Sequence, residues 1–417
     1  MSADPSSPMS RRRLMQKATA VAVAWRGGAA SASAATESEA CPHPFLTAAE
    51  DFYDVSRGKP KPHTLTGEAL VEARMTPESW RLGITADAAT DPPDIKEAAQ
   101  IEKPLTLADG TALDLPALVK LGKTKGVKFI KAMQCLNIAE PLGQGLWEGV
   151  PLSDVLRLCG RMQNVRRIYY RGFHNNDPTQ IFQSSVSYTQ AMDTPPGELP
   201  VFLAYRLNGE PIPLVRGGPV RMLVPWAHGF KSIKWLREIF LTNDYRTNDT
   251  YALRNNDPES FLKTAAYVDD GPDEVAVGNP VVVTGQVING LSGFLRVEYW
   301  VRRVGPQSAK LADDAPELRN AAWKPCDLLP PPNWKTVLPG GVSSKELLGF
   351  DSRTGEPQTW PTRYGMASWM ITLRDLKPGK YEIRVRAVDR NGFAQPEPRS
   401  QQKSGKNAIQ MRRVTVV

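Results

Sequence analysis

The stretch LAYRLNGEPIPLVRGGPVRMLVP, residues 203–225, decides how the chain is read. Together with the preceding PVF (200–202) it opens as a strand and ends in Asn208-Gly209-Glu210, a tight-turn signal. The overlapping run PVRMLVPWAHGFKSIKWLREIFLTN (219–243) gives two more strands around a glycine turn. Upstream, GVKFIKAMQC (126–135) alternates and reads as a strand ending on Cys135. PLSDVLRLCG (151–160) reads as a short helix, with Leu152, Val155, Leu156 and Cys159 on one face and Gly160 as its stop. VRRIYYRGF (165–173) is a further strand. ESWRLGITADA (78–88) and KPLTLADGTALDLPALVKLG (103–122) give short strands and a short helix over LPALVKL. Residues 41–75 read as extended and loop-like.

Downstream of about Phe261 the pattern changes. NPVVVTGQVING (279–290), GFLRVEYWVRRV (293–304), ASWMITLRDLKPGKYEIRVRAVDRNG (367–392) and IQMRRVTVV (409–417) are alternating strands separated by turns. That spacing predicts an immunoglobulin-like β-sandwich. The Pro-rich insertion 325–361 reads as a long surface excursion. The expected class is α+β. Residues 1–40 read as an N-terminal segment outside the fold, 41–257 as a mixed α/β domain and 258–417 as the sandwich.

Composition narrows the function. The 417 residues leave room for two or three domains, and 36 prolines favour loops and edge strands over long helices. No apolar run approaches the roughly 20 residues that span a bilayer. Of the formal charge of +8, Arg11, Arg12, Arg13, Lys17 and Arg26 against Asp4 place +4 within the first 34 residues. The remainder carries no basic block, so nucleic acid is set aside as a partner. The four cysteines, Cys41, Cys135, Cys159 and Cys326, lack CxxC spacing and are too few for a disulfide scaffold, although one disulfide stays open. There is no phosphate-cradling glycine loop, no G-x-S-x-G elbow and no H-E-x-x-H among the four histidines. SRRRLMQKATAVAVAW (10–25), followed by GGAASASAATE, looks like a twin-arginine export signal with a cleavage site at Ala32–Ala34. It predicts a periplasmic protein; the alternative is a disordered basic tail.

The segments FYDVSRG (52–58), MQC (133–135), LWEGVPLSDVL (146–156), RGFHNNDP (171–178), 203–225 and FKSIKWL (230–236) occur in an order, followed by a sandwich, that resembles the sulfite oxidase family of molybdenum enzymes. The likeness covers roughly 45–417. It implies a molybdenum–molybdopterin cofactor, with Cys135 as the single protein ligand to the metal. A soft thiolate suits a high-valent metal that is also held by a dithiolene. The resemblance further assigns Arg216, Arg221, Ser232 and Lys234 to the cofactor's phosphate. Tyr53 to Arg57 become a cofactor-binding stretch in which Arg57 also faces the substrate. Asn175 touches the pterin with His174 beside it, and Tyr251 is the active-site tyrosine with Tyr245 as second choice. Cys159, Cys41 and Cys326 stay inert.

Two departures bear on the substrate. The family's Q-C-A-G-N-[RG]-R reads Gln134-Cys135-Leu136-Asn137-Ile138-Ala139-Glu140 here, without its arginine and with a shorter loop. A second substrate arginine has only Arg399 as its nearest counterpart. Sulfite is a dianion near neutral pH and each charge-assisted hydrogen bond contributes about 1.5–3 kcal/mol, so the loss weakens the case for sulfite itself. The implied activity is sulfite dehydrogenase-like oxo transfer by a homodimer, with a c-type cytochrome taking the electrons. The alternatives are a related enzyme acting on a sulfoxide or another small substrate, and a non-catalytic binding protein of the same fold.

Overall fold

The computed structural model describes residues 44–87, 91–250, 252–254, 257–396 and 407–417. All of these fall within one unit, His43–Val417. The expected address segment and Cys41 lie outside the described residues.

The first part of the chain runs through helix α1 (Gly67–Glu72), strands β1 (Arg81–Ala86) and β2 (Leu113–Asp114), helix α2 (Leu115–Lys125), strands β3 (Val127–Met133) and β4 (Gly143–Pro151), and helix α3 (Leu152–Leu156). Strands β5 (Arg167–Gly172) and β6 (Gln183–Ser187), helix α4 (Tyr188–Met192), and strands β7 (Phe202–Leu207), β8 (Glu210–Pro211), β9 (Arg221–Leu223) and β10 (Leu236–Thr242) complete it. One sheet has the order β2-β1-β10-β5-β6, with β1 parallel to β10 and the other pairs antiparallel. The other has the order β8-β7-β4-β3, and β9 also pairs with β7. The helices are short, but α2 runs through Gly122 to Lys125, four residues past the expected LPALVKL. The Asp114 carboxylate accepts the Ala117 N–H at the start of α2, and Lys123 and Lys125 sit in its last turn. After α3 a 3-10 turn carries the same apolar face on to Cys159, and Gly160 ends it at φ 71°. Leu152, Val155, Leu156 and Cys159 are fully buried against Leu82, Ile168 and Ile239 of the first sheet. Residues 41–75 depart from the extended reading: α1 lies within them, and it buries no residue fully.

Beyond Ala265 two antiparallel-rich sheets face each other. One is β11 (Ala265–Asp270), β13 (Val281–Ile288), β17 (Met366–Leu373) and β16 (Asp327–Leu328), in that order. The other is β12 (Glu274–Val275), β19 (Gln410–Val416), β18 (Gly379–Asp389), β14 (Phe294–Val304) and β15 (Lys324–Pro325). Val283, Val287, Trp369 and Ile371 of the first meet Ile383, Val385 and Val414 of the second in one apolar core. Burial alternates along β17 with the period of two seen in the sequence.

The insertion 325–361 is not a surface excursion. Trp334, Leu338, Leu347 and Phe350 are buried with Ile130 of β3 and Leu146 of β4. The Trp334 ring meets Phe350 edge-on at 4.9 Å and Phe45 at 5.4 Å, and Leu348 N–H bonds the Lys128 carbonyl. The insertion therefore roofs the outer face of the strand that leads to Cys135. Proline sets φ but does not prevent the side chains between prolines from packing. Leu338→Ala is expected to destabilise the protein by about 2 kcal/mol, the low end for a buried leucine because the site is at a cluster edge. A chemical denaturation midpoint unchanged from wild type would show that the roof carries no stability.

Candidate active site

Cys135 leaves the end of β3 and enters a short loop that returns to β4. The Leu142 N–H bonds the Met133 carbonyl, and the Gln134 side-chain amide donates to Ile138 O at 2.6 Å. Gly229 N–H bonds Gln134 O at 2.7 Å, which ties this loop to the segment ahead of β10. The cysteine borders a cavity of about 280 Å³. Tyr53, Arg57, His174, Arg216, Arg221, Ser232 and Lys234 line the same cavity, so segments far apart in sequence converge on one thiol.

The lining is also rich in cations. Arg221 is buried, donates to the Arg216 and Ser232 carbonyls at 2.7 Å, and keeps its buried Nε without a partner. Carbonyl oxygens carry only partial charge and do not neutralise it. Burial, helped by Arg216, pushes Arg221 down to about 9. Arg216 is likewise buried with an unpartnered Nε. Lys234 donates to Asp54 Oδ1 at 3.1 Å, Ser56 Oγ at 2.6 Å and Val215 O at 2.6 Å. Burial would push the Asp54 carboxyl up, but Lys234 and the Ser56 bonds outweigh it and hold Asp54 well below the usual carboxylate range. The glycine pair between the two arginines is a geometric requirement. Gly217 has φ 99°, and a Cβ at Gly218 would collide with the Ile212 carbonyl.

Ser232 accepts the Val224 N–H on its hydroxyl at 3.2 Å and still faces the cavity. Asn175 lies behind the wall: its amide donates to Pro60 O at 2.8 Å and Gln180 Oε1 at 3.0 Å, pinning the strap that carries Arg57. Its buried Oδ1 has no partner. The Arg57 guanidinium rests 4.9 Å from the centroid of Phe182. Tyr245 is 59% exposed and does not line the cavity. Tyr251 and Arg399 lie outside the described residues. Glu140 is exposed and also absent from the lining. Cys159 is buried in the core, its thiol pushed up to about 11 by that burial. Cys135, Cys159 and Cys326 are free thiols.

Sequence reasoning missed three features. Asp54 sits inside a motif that was read only for Tyr53 and Arg57. Phe182 and Phe230 form part of the cavity wall; Phe182 belongs to no motif, and Phe230 opens FKSIKWL, a motif that was read only for Ser232 and Lys234. Lys131, fully buried on the same face of β3 as Met133, donates only to Pro225 O at 2.7 Å and Ala132 O at 3.2 Å. Burial, with Arg221 nearby, pushes Lys131 from 10.5 down to about 7. Between those values the unfolded chain holds a proton that the folded chain lacks, so stability rises with pH there and is flat below. Burial lowers Lys234 to about 7 as well, so the cofactor-free protein should gain at least about 1 kcal/mol per pH unit from about pH 7.5 to 9, and Lys131→Met should reduce that slope without abolishing it. Denaturation curves at three pH values check this, and equal slopes in both proteins would count against it.

Residues 71–250 match the profile of the oxidoreductase molybdopterin binding domain. A sulfite oxidase of Drosophila melanogaster is 29% identical over 280 residues, 64% of this chain and 44% of that protein. The chain carries an oxidoreductase molybdopterin binding domain whose relatives include sulfite oxidases. The human sulfite oxidase is 33% identical over 115 residues, 27% of this chain and 20% of that protein. An inducible NADH nitrate reductase of Glycine max is 24% identical over 245 residues, 57% of this chain and 23% of that protein. The chain thus spans less than half the length of each of these relatives. The solved structure of the sulfane dehydrogenase SoxCD from Paracoccus pantotrophus shares the fold, with a TM-score of 0.54 at 16% identity, covering 82% of this chain and 77% of that one. That domain implies a molybdenum–molybdopterin cofactor, and the donor set fits one: a thiol and, in the same cavity lining, two buried guanidiniums, each with an unpartnered Nε for an anion.

Proposed function

We propose that this protein is an oxo-transfer molybdoenzyme acting at the sulfur atom of a small substrate. The observation that carries the reading is that the Cys135 thiol, Arg216 and Arg221 line one cavity, each guanidinium with a buried, unpartnered Nε. Cys135 holds the metal as a thiolate, while Arg216, Arg221, Ser232 and Lys234 hold the phosphate end of the pterin. Tyr53 and Arg57 close the cavity from the strap, and Asn175 keeps that strap in place. When bound, the cofactor supplies two-electron redox chemistry and oxygen transfer. Lys234 is kept in position by Asp54, Ser56 and the Val215 carbonyl, so its charge need not reorganise when an anion arrives.

The sulfite oxidases among its relatives support a sulfur centre as the reacting atom. Electrons are exchanged singly with an external carrier, proposed to be a c-type cytochrome. The described helices include none long and apolar enough to cross a membrane. The twin-arginine-like segment supports export to the periplasm. The two facing sheets support an immunoglobulin-like module over about 258–417 that joins two copies into a homodimer, with 41–257 as the catalytic domain. Metal analysis of protein made in a molybdenum-competent host tests the central reading. About one molybdenum per chain is expected; its absence would overturn the enzyme assignment. Gel filtration with light scattering tests the dimer, and a monomer at micromolar concentration would remove it.

A further inference from the structure

Lys131 is a buried lysine that the cofactor reading does not use. Its side chain is fully buried, and its ammonium meets only the Pro225 carbonyl at 2.7 Å and the Ala132 carbonyl at 3.2 Å. Among the described residues no carboxylate forms an ion pair with it, and none does so with Arg216 or Arg221, which line the cavity. Strands β3 and β9 are the two ends of the path β3-β4-β7-β9 in the second sheet. Lys131 joins those ends, because Pro225 lies two residues past β9. Trp147 of β4 fills the space between. Its indole N–H donates to the Lys131 carbonyl at 3.4 Å, and the Arg221 guanidinium lies 5.3 Å from its ring centroid. Lys131 is absent from the cavity lining, yet it lies within the field of a residue that belongs to it.

Arg221 of β9 is the charged group that acts on Lys131. Gly145 and Trp147 of β4 bring no charge, and the 225–227 segment brings a carbonyl. Burial and the Arg221 charge push the lysine down to about 7, so near neutral pH it stands between its two protonation states. An anion placed on Arg221 offsets the repulsion that disfavours charging Lys131. We infer that Lys131 is a fourth cation of the phosphate site, acting through Arg221 from outside the cavity and taking up a proton from solvent when a dianion binds there. This rests on the proposed cofactor reading, which puts the pterin phosphate on Arg216, Arg221, Ser232 and Lys234. The cluster then reaches its full charge only with the anion in place. By linkage, rising pH favours release of the anion.

The test uses the cofactor-free protein with sulfate as the probe, because sulfate stays a dianion near neutral pH whereas a phosphate group titrates there itself. Lys131→Met and Lys131→Gln both remove the titrating amine; glutamine keeps a donor for the Pro225 carbonyl should methionine cost the fold. At about pH 6 the wild type should bind sulfate about tenfold more tightly than either variant, and at about pH 9 the affinities should converge. Calorimetry in two buffers of different ionisation heat should count more protons taken up by the wild type than by the variants near pH 7.5. The uptake left in the variants belongs to Lys234, which burial also lowers to about 7. Molybdenum-loaded protein should lack this sulfate site. Equal affinity profiles and equal proton counts in wild type and variants overturn the inference and leave the cofactor reading standing. Sulfate that binds loaded and cofactor-free protein alike sits elsewhere and overturns the inference too. Cofactor-free protein that binds no sulfate overturns the assignment of these cations to the phosphate, and this inference with it.

Discussion

Cys135→Ser is expected to fold normally, to lose more than about 100-fold in turnover and to lose its thiolate-to-metal absorption. The size follows from a comparison: residues that merely orient a metal's ligands are worth about 10- to 100-fold, so removing the ligand itself should exceed that range. The fold should survive because the change is nearly isosteric and the hydrogen bonds of this loop run through backbone atoms and Gln134, not through the Cys135 side chain. The cations of the same lining remain, so the variant can still bind the pterin with a hard oxygen in place of a soft sulfur. Molybdenum content, absorption spectra and steady-state rates separate the outcomes. A Cys135→Ser protein with full activity would remove Cys135 from the metal and reduce it to a cavity-lining thiol.

How much of this was legible in sequence depended on whether a feature is periodic, contiguous or paired. Alternation announced β13, β14, β17 and β18, because a strand with one buried face repeats every two residues whatever it packs against. The glycine pair, both arginines and Lys234 were visible because they fall within one short contiguous stretch. Trp334, Leu338, Leu347 and Phe350 have no common period. Their burial is set by Ile130 and Leu146, far earlier in the chain, so a Pro-rich run looked like an excursion. Helix α1 was invisible for the opposite reason: it buries no residue fully and so writes no apolar stripe. Phe182 and Phe230 gain their meaning from each other and from Leu136, across three separate segments.

The same limit hid the buried ion pair that carries the second large effect. In KSIKW the sequence pointed to Lys234, yet the first lysine, Lys231, is the more deeply buried. Its ammonium donates to Asp249 Oδ2 at 2.9 Å and to the Ser185 carbonyl at 2.8 Å, with both charged side chains at most 2% exposed. Ser184 and Ser185 of β6 both donate hydroxyls to Asp249, and the Arg167 guanidinium donates to Ser185 Oγ. The Lys231 carbonyl accepts the Tyr170 hydroxyl of β5. One carboxylate thus links the cavity-lining segment 229–234 to the sheet. Asp249→Leu leaves an ammonium in apolar surroundings with one carbonyl for company, and breaking such a pair from one side costs about 3–5 kcal/mol. The loss should fall on cofactor loading too, since Gly229, Phe230, Ser232 and Lys234 are all positioned by this segment. Adding Lys231→Met removes the stranded charge, so the double variant should recover much of the stability, a coupling that a double-mutant cycle measures directly. If the two losses simply add, the pair is not a unit. If stability returns but molybdenum content does not, the ion pair shapes the cofactor wall beyond its contribution to the fold.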